Sequence, residues 1–143
     1  MKILILNGPN LSRLDLREQS YYGDLDYPQL KSAIENRAAE LKIEVDIKQS
    51  DSESELISWL HEAADKKQPV IINPAAFTHY SYAIRDAVAM LTAPVIEVHL
   101  SNPLSREEFR HTSVVSGVVN GTIAGFGAES YLLAILAMQK LVG

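Results

Sequence analysis

Ile3-Leu4-Ile5-Leu6 is an unbroken apolar run, closed at once by Asn7-Gly8-Pro9-Asn10. A strand that is apolar at every position, rather than at every second one, has to be covered on both faces. Pro69-Val70-Ile71-Ile72, ending at Asn73-Pro74, has the same character, and so does Pro94 to Leu100. Segments of helical period lie between these runs. Asp26 and Pro28 open one that repeats through Leu30, Ile34, Ala38 and Leu41. Ser52 with Glu55 reads as a capping box ahead of Leu56, Trp59, Leu60 and Ala63. A third helix places Ala83, Ala87, Val88 and Leu91 inward, and Tyr131 to Leu141 closes the chain. Ile43, Val45 and Ile47 alternate with charged residues, as a half-exposed strand near an edge does. Val118 to Ala124, interrupted by Gly121, is the expected last strand. Strands alternating with helices build a parallel sheet with helices on both faces. The expected architecture is an α/β, flavodoxin-like three-layer fold. Its five-stranded parallel sheet runs in the order 2-1-3-4-5, in one domain spanning 1–143.

Composition narrows the function. No cysteine is present, which excludes disulfides and a thiol nucleophile. With 13 basic and 18 acidic residues the net charge is −5, so the chain lacks the basic footprint of a nucleic-acid binder. No apolar run reaches a membrane span, and Ile3–Leu6 is too short for a signal-peptide core. A cytoplasmic location is expected, with no membrane or nucleic-acid partner.

In open α/β sheets, ligands bind beyond the carboxyl ends of the strands. That rule selects 8–23, 73–86 and 99–111. Five of the six arginines (Arg13, Arg17, Arg85, Arg106 and Arg110) fall there, as do His79, His99 and His111, and none of the seven lysines does. The rigid guanidinium fork matches carboxylates and phosphates, so the expected ligand is a small anion. No Gly-x-Gly-x-x-Gly or Walker A motif follows the first strand, and no lysine is placed for a Schiff base. His79, His99, Asp86 and Glu97 lack metal-ligand spacing, so no metal is expected.

Acid–base chemistry remains. Glu97 and His99 are two apart on a strand and share a face; a carboxylate beside an imidazole orients it as a general acid, though the two could equally be a satisfied polar pair in the sheet. Arg17 shares the long first loop with Tyr22, and a guanidinium favours phenolate over phenol, which makes Tyr22 a candidate base. Tyr21 is its immediate competitor. Asn73 is placed by the end of a buried strand, while Ser101 and Asn102 begin a turn able to hold a carboxylate. His61 and Arg37 read as exposed helix residues.

These residues fall into an ordered set. It runs Asn7-Gly8-Pro9-Asn10-Leu11, Arg17-Glu18, Tyr22-Gly23, Gln49-Ser50, Glu55-Leu56-Ile57, Asn73-Pro74, Thr78-His79, Ser81 and Arg85-Asp86-Ala87. It continues with Glu97-Val98-His99-Leu100-Ser101-Asn102, Arg106-Glu107-Glu108-Phe109-Arg110 and Ile123-Ala124-Gly125-Phe126-Gly127. In this order the chain resembles the type II 3-dehydroquinate dehydratases over essentially its full length. The resemblance implies loss of water from 3-dehydroquinate to give 3-dehydroshikimate, a step of the shikimate pathway, through an enolate and without metal or other cofactor. Tyr22 would be the base, held partly ionised by Arg17; Asn10 with a water would stabilise the enolate; His99, oriented by Glu97, would be the acid. Asn73, His79, Leu100, Ser101 and Arg110 would bind the substrate. The family's assembly is a homododecamer, a tetramer of trimers, in which Asp86 would reach a neighbour's site, and the first loop would be a lid. The chain departs from the family's usual pattern at Asp15-Leu16, Gln19, Ala75, Phe77 and Pro103-Leu104. Asp15 is thereby set up as a rival for Arg17.

Overall fold

The apolar runs become the inner strands of one sheet. In the computed structural model, which describes residues 1–143, β1 (Lys2–Asn7), β3 (Val70–Asn73) and β4 (Val95–His99) lie side by side. β2 (Glu44–Gln49) is the edge beside β1, and β5 (Gly121–Ala124) is the edge beside β4. All four pairings are parallel, in the order β2-β1-β3-β4-β5. Alternate residues of each strand serve opposite cores. Ile3, Ile5, Ile71, Ile96 and Val98 pack under α2 (Tyr27–Glu40) and α5 (Glu129–Val142), whereas Leu4, Leu6, Val70, Ile72 and Val95 pack under α3 (Glu53–Lys66) and α4 (Tyr82–Ala89). This double burial is why the sequence shows no alternation there. No helix is long and apolar enough to cross a membrane.

Several local expectations are revised. The last strand begins at Gly121 rather than Val118, because Ser116–Val118 forms a 3₁₀ turn with the Val118 amide bonded to the Val115 carbonyl. Val118 and Val119 instead pad the core under α3 and α4. Ile84, not Ala83, faces inward from α4. The box at Ser52 is only half formed: Ser52 Oγ accepts from the Glu55 amide at 3.2 Å, but the Ser52 amide is already taken by Ser50 Oγ at 2.9 Å. The reciprocal box is at α2, where Asp26 and Gln29 each accept the other's amide at 2.9 Å. His61 is exposed, while Arg37 is half-buried and pairs with Glu40 at 3.4 Å.

The aperiodic first loop has internal order. A 3₁₀ segment covers Leu11–Leu16, and α1 is a single turn, Gln19–Tyr22. Leu11 and Leu14 are buried in the core under α2 and α5. Two such side chains contribute roughly 3–6 kcal/mol, which anchors the base of the loop and leaves its distal half to carry Arg17 and Tyr22.

Candidate active site

The carboxyl ends of β1, β3 and β4 form one rim, and the loops that leave them touch one another closely. The Gly8 amide donates to the Asn73 carbonyl at 2.8 Å. A Cβ at Gly8 would lie 2.6 Å from the Pro74 carbonyl oxygen, so only glycine fits. Asn73 is held on both sides: its Nδ2 donates to Tyr131 Oη at 2.9 Å, and its Oδ1 accepts from the Ala75 amide at 3.0 Å. Tyr131 Oη donates in turn to Asn7 Oδ1 at 2.6 Å. Burial holds the Tyr131 phenol well above its ordinary range, so it remains a neutral donor. Ala75 adopts a left-handed φ of 52°, a conformation that favours glycine.

Across the rim, the Tyr22 hydroxyl receives two guanidiniums. Arg17 Nη2 donates to it in a very short hydrogen bond, and Arg106 Nη1 donates at 2.5 Å. Arg106 also donates to Ser101 Oγ at 3.2 Å. Its side chain is only 5% exposed, and its buried Nε meets no acceptor within the chain. Tyr21 offers Arg106 only its ring face, 4.4 Å from the guanidinium carbon, so the geometry distinguishes two tyrosines that are equivalent by spacing. Asp15 does not compete for Arg17. Arg13 holds it through Nε at 3.1 Å and Nη2 at 3.0 Å, and that pairing keeps the Asp15 carboxyl below its ordinary range.

The third component is a buried pair. His99 Nε2 lies 2.5 Å from Glu97 Oε2, and Glu97 is fully buried. Thr78 Oγ1 donates to Oε2 at 2.5 Å, Ser116 Oγ to Oε1 at 2.7 Å, and Ser113 Oγ to both oxygens at 3.3 Å. Burial alone would push the Glu97 carboxyl up. The hydrogen bonds and charge of His99, with the Thr78 and Ser116 hydroxyls, outweigh it and hold the group below the usual carboxylate range. His79 Nδ1 donates to the Thr112 carbonyl at 2.8 Å, leaving Nε2 as an acceptor. Burial pushes His79 down, with the charges of His99 and Arg110 adding to the shift, so its neutral form is favoured.

These groups surround one cavity. Asn10, Arg17, Tyr22, Asn73 and His79 line it, as do His99, Leu100, Ser101 and Arg110. Glu97 stands directly behind His99. Asp86 lies on α4, outside this lining. Of the five clustered arginines, Arg17, Arg106 and Arg110 converge on the cavity, whereas Arg13 lies outside it and Arg85 donates to the Val114 carbonyl at 2.7 Å. Sequence reasoning assigned no role to Arg106, although its place in the third arginine-bearing segment marked it. Thr78 was marked only by its place in the second such segment, and Ser113, Ser116 and Tyr131 carried no mark, because a hydroxyl is placed by tertiary structure alone.

The model of the family described as dehydroquinase class II matches residues 1–139. The chain belongs to the class II dehydroquinases. It is 55% identical over 135 residues to the 3-dehydroquinate dehydratase of Mycobacteroides abscessus, with 94% of each chain covered. It is 51% identical over 138 residues to the 3-dehydroquinate dehydratase of Dictyoglomus turgidum, covering 96% of this chain and 95% of that one. Among solved class II dehydroquinases, the crystal structure from Propionibacterium acnes superimposes with a TM-score of 0.94 at 50% identity. That match covers 97% of this chain and 96% of the other. This degree of likeness fixes the flavodoxin-like fold as the family's own.

Proposed function

We propose that this chain is a type II 3-dehydroquinate dehydratase, a hydro-lyase that removes water from 3-dehydroquinate to give 3-dehydroshikimate. The observation that carries the mechanism is the placement of Tyr22, under two guanidiniums, and His99, braced by Glu97, on the lining of one cavity. Tyr22 as phenolate takes the proton beside the ketone, and Arg17 and Arg106 stabilise the charge from which it acts. The electron pair moves into the carbonyl, and Asn10 with a water steadies the enolate. The enolate then collapses, the carbon–oxygen bond breaks, and the leaving hydroxyl takes a proton from His99 to depart as water. Doubly protonated, His99 keeps Nε2 on Glu97 and offers Nδ1–H to that hydroxyl. Arg110, the Leu100–Ser101 turn and Asn73 hold the carboxylate and hydroxyls, with the neutral His79 Nε2 accepting from one hydroxyl. No metal or organic cofactor enters these steps.

Asp86, on α4, is assigned to a neighbouring copy's site in a homododecamer built as a tetramer of trimers. The exposed rings of Tyr80, Tyr82 and Phe109 are consistent with subunit contacts. Residues 1–143 act as one domain, in the cytoplasm. Incubation with 3-dehydroquinate should produce the ultraviolet absorbance of a conjugated enone, and no rise would sink the assignment. Tyr22→Phe and His99→Ala should keep fold and ligand binding while losing most turnover. Full activity in Tyr22→Phe would move the base elsewhere.

A further inference from the structure

We propose that Thr78, Ser113 and Ser116 form a hydroxyl cage that positions His99 by holding the Glu97 carboxylate as its fixed partner. The proposal deepens the reading of His99 as the acid and rests on it. Glu97 is fully buried, and a buried carboxylate is tolerated only when donors satisfy its oxygens. Here the donors come from two segments remote from β4: Thr78 from the 3₁₀ turn 75–79, and Ser113 and Ser116 from the loop ahead of β5. The Val114 amide donates to the Thr78 carbonyl at 2.7 Å and ties the two segments together.

The cage is directional. Ser113 Oγ already accepts the Val115 and Ser116 amides at 3.1 and 3.0 Å, so its proton faces inward toward Glu97 or Thr78. Thr78 Oγ1 lies 2.7 Å from Ser113 Oγ, and Ser116 Oγ accepts from Thr122 Oγ1 at 3.4 Å. The Ser113 and Ser116 oxygens thus each have a donor approaching from outside, and Thr78 Oγ1 has Ser113 Oγ beside it, so the Thr78 and Ser116 protons are left to point at Glu97. A protonated carboxyl would bring one more donor toward these donors, and a hydroxyl or His99 Nε2 would have to turn a lone pair inward to receive it. A carboxylate is acceptor-only and matches these donors. The cage therefore selects the charged form of Glu97, which agrees with the downward direction of its carboxyl.

The other charged or titratable groups around the pair are His79 on the 75–79 turn, Arg110 and His111 on the 3₁₀ segment 108–111, and Arg85 reaching from α4 to the Val114 carbonyl. Glu97 is the only carboxylate lining that side of the site, so no second acid confounds its titration.

The test uses Ser116→Ala, because Ser116 is half-buried and its loss leaves the core intact. Carbon-13 labelling of glutamate carboxyls, with Glu97 assigned through Glu97→Gln, follows the carboxyl directly by NMR. In the unsubstituted protein Glu97 should titrate below the ordinary glutamate value. Ser116→Ala should move it upward. At neutral pH kcat should fall about tenfold with KM held within about twofold, as expected when one hydrogen bond to a charged group is lost at the acid but not in substrate binding. Ser116→Thr should restore both, and Thr78→Val should repeat the upward shift from the other carboxylate oxygen. A Glu97 titration unmoved in both variants overturns the cage. A protein that fails to dehydrate 3-dehydroquinate overturns the assigned activity instead, and the carboxyl titration still decides whether the cage holds Glu97.

Discussion

Arg106→Met tests whether the second guanidinium on Tyr22 contributes to turnover or merely packs. Arg106 is 5% exposed on its side chain, and its Nη1 lies 2.5 Å from the Tyr22 hydroxyl. Methionine keeps an apolar stem beside the Tyr21 ring while removing the charge and the donors. A hydrogen bond to a charged group contributes about 1.5–3 kcal/mol, which converts to a loss of roughly 10- to 150-fold in kcat. Arg17 remains on the same oxygen, so activity should fall and not vanish. KM should rise less than kcat falls, because the one other hydrogen bond that methionine removes is the 3.2 Å bond to Ser101 Oγ. Initial rates from the enone absorbance measure both constants, and a melting curve shows that the variant is folded. Arg106→Lys should recover only part of the loss, since one ammonium cannot span Tyr22 and Ser101 as the planar fork does. A folded Arg106→Met enzyme with kcat within about twofold of the parent would refute the reasoning, because no charge-assisted bond of this kind is that weak.

Other expectations can be checked with simple measurements. Asp15→Asn should leave kcat within about twofold of the parent, since Asp15 is engaged by Arg13 at the surface and not by Arg17; a marked gain in rate would show that Asp15 restrains Arg17 after all. Ala75→Gly removes a left-handed alanine that costs about 1–2 kcal/mol and adds a flexible residue that costs about 0.5–1 kcal/mol, so Tm should rise by up to about 2–4 °C. A fall in Tm would contradict the strain at φ 52°. Glu97 is held below its ordinary value of 4.5 in the folded chain, so its stabilising effect is complete above that value and is lost as pH falls through the lower folded one. The Tm gap between the parent and Glu97→Gln should therefore be constant above about pH 5 and narrow in more acidic solution; a gap that widens there would reverse the sign.

The sheet order could be read in advance because double burial leaves a mark that local sequence cannot hide, as in Ile3–Leu6. The rim followed from it, since parallel strands send all their exits to one end. What resisted reading was decided by competition between neighbours. Ser52 lost half its capping box because Ser50 occupies the amide that Glu55 would have taken. Val118 and Val119 have strand propensity but serve the core better from a turn. Tyr21 and Tyr22 are equivalent in spacing, and only the folded loop turns one hydroxyl toward two arginines. The donors to Glu97 lie as far off as Thr78, at 19 positions, and nothing in their local sequence points to a carboxylate.

The separation of arginine from lysine along the chain also determines how the molecule can be handled. Lys2 begins β1, Lys42 stands just ahead of β2, Lys66 and Lys67 precede β3, and Lys140 is in the last turn of α5, which places all five at the edge opposite the rim. Lys2, Lys66 and Lys67 even line one shallow depression there. Lys31, exposed near the start of α2, and Lys48, near the end of β2, stand on the rim side, so an amine-reactive surface would meet five of the seven lysines at the far edge and two nearer the cavity.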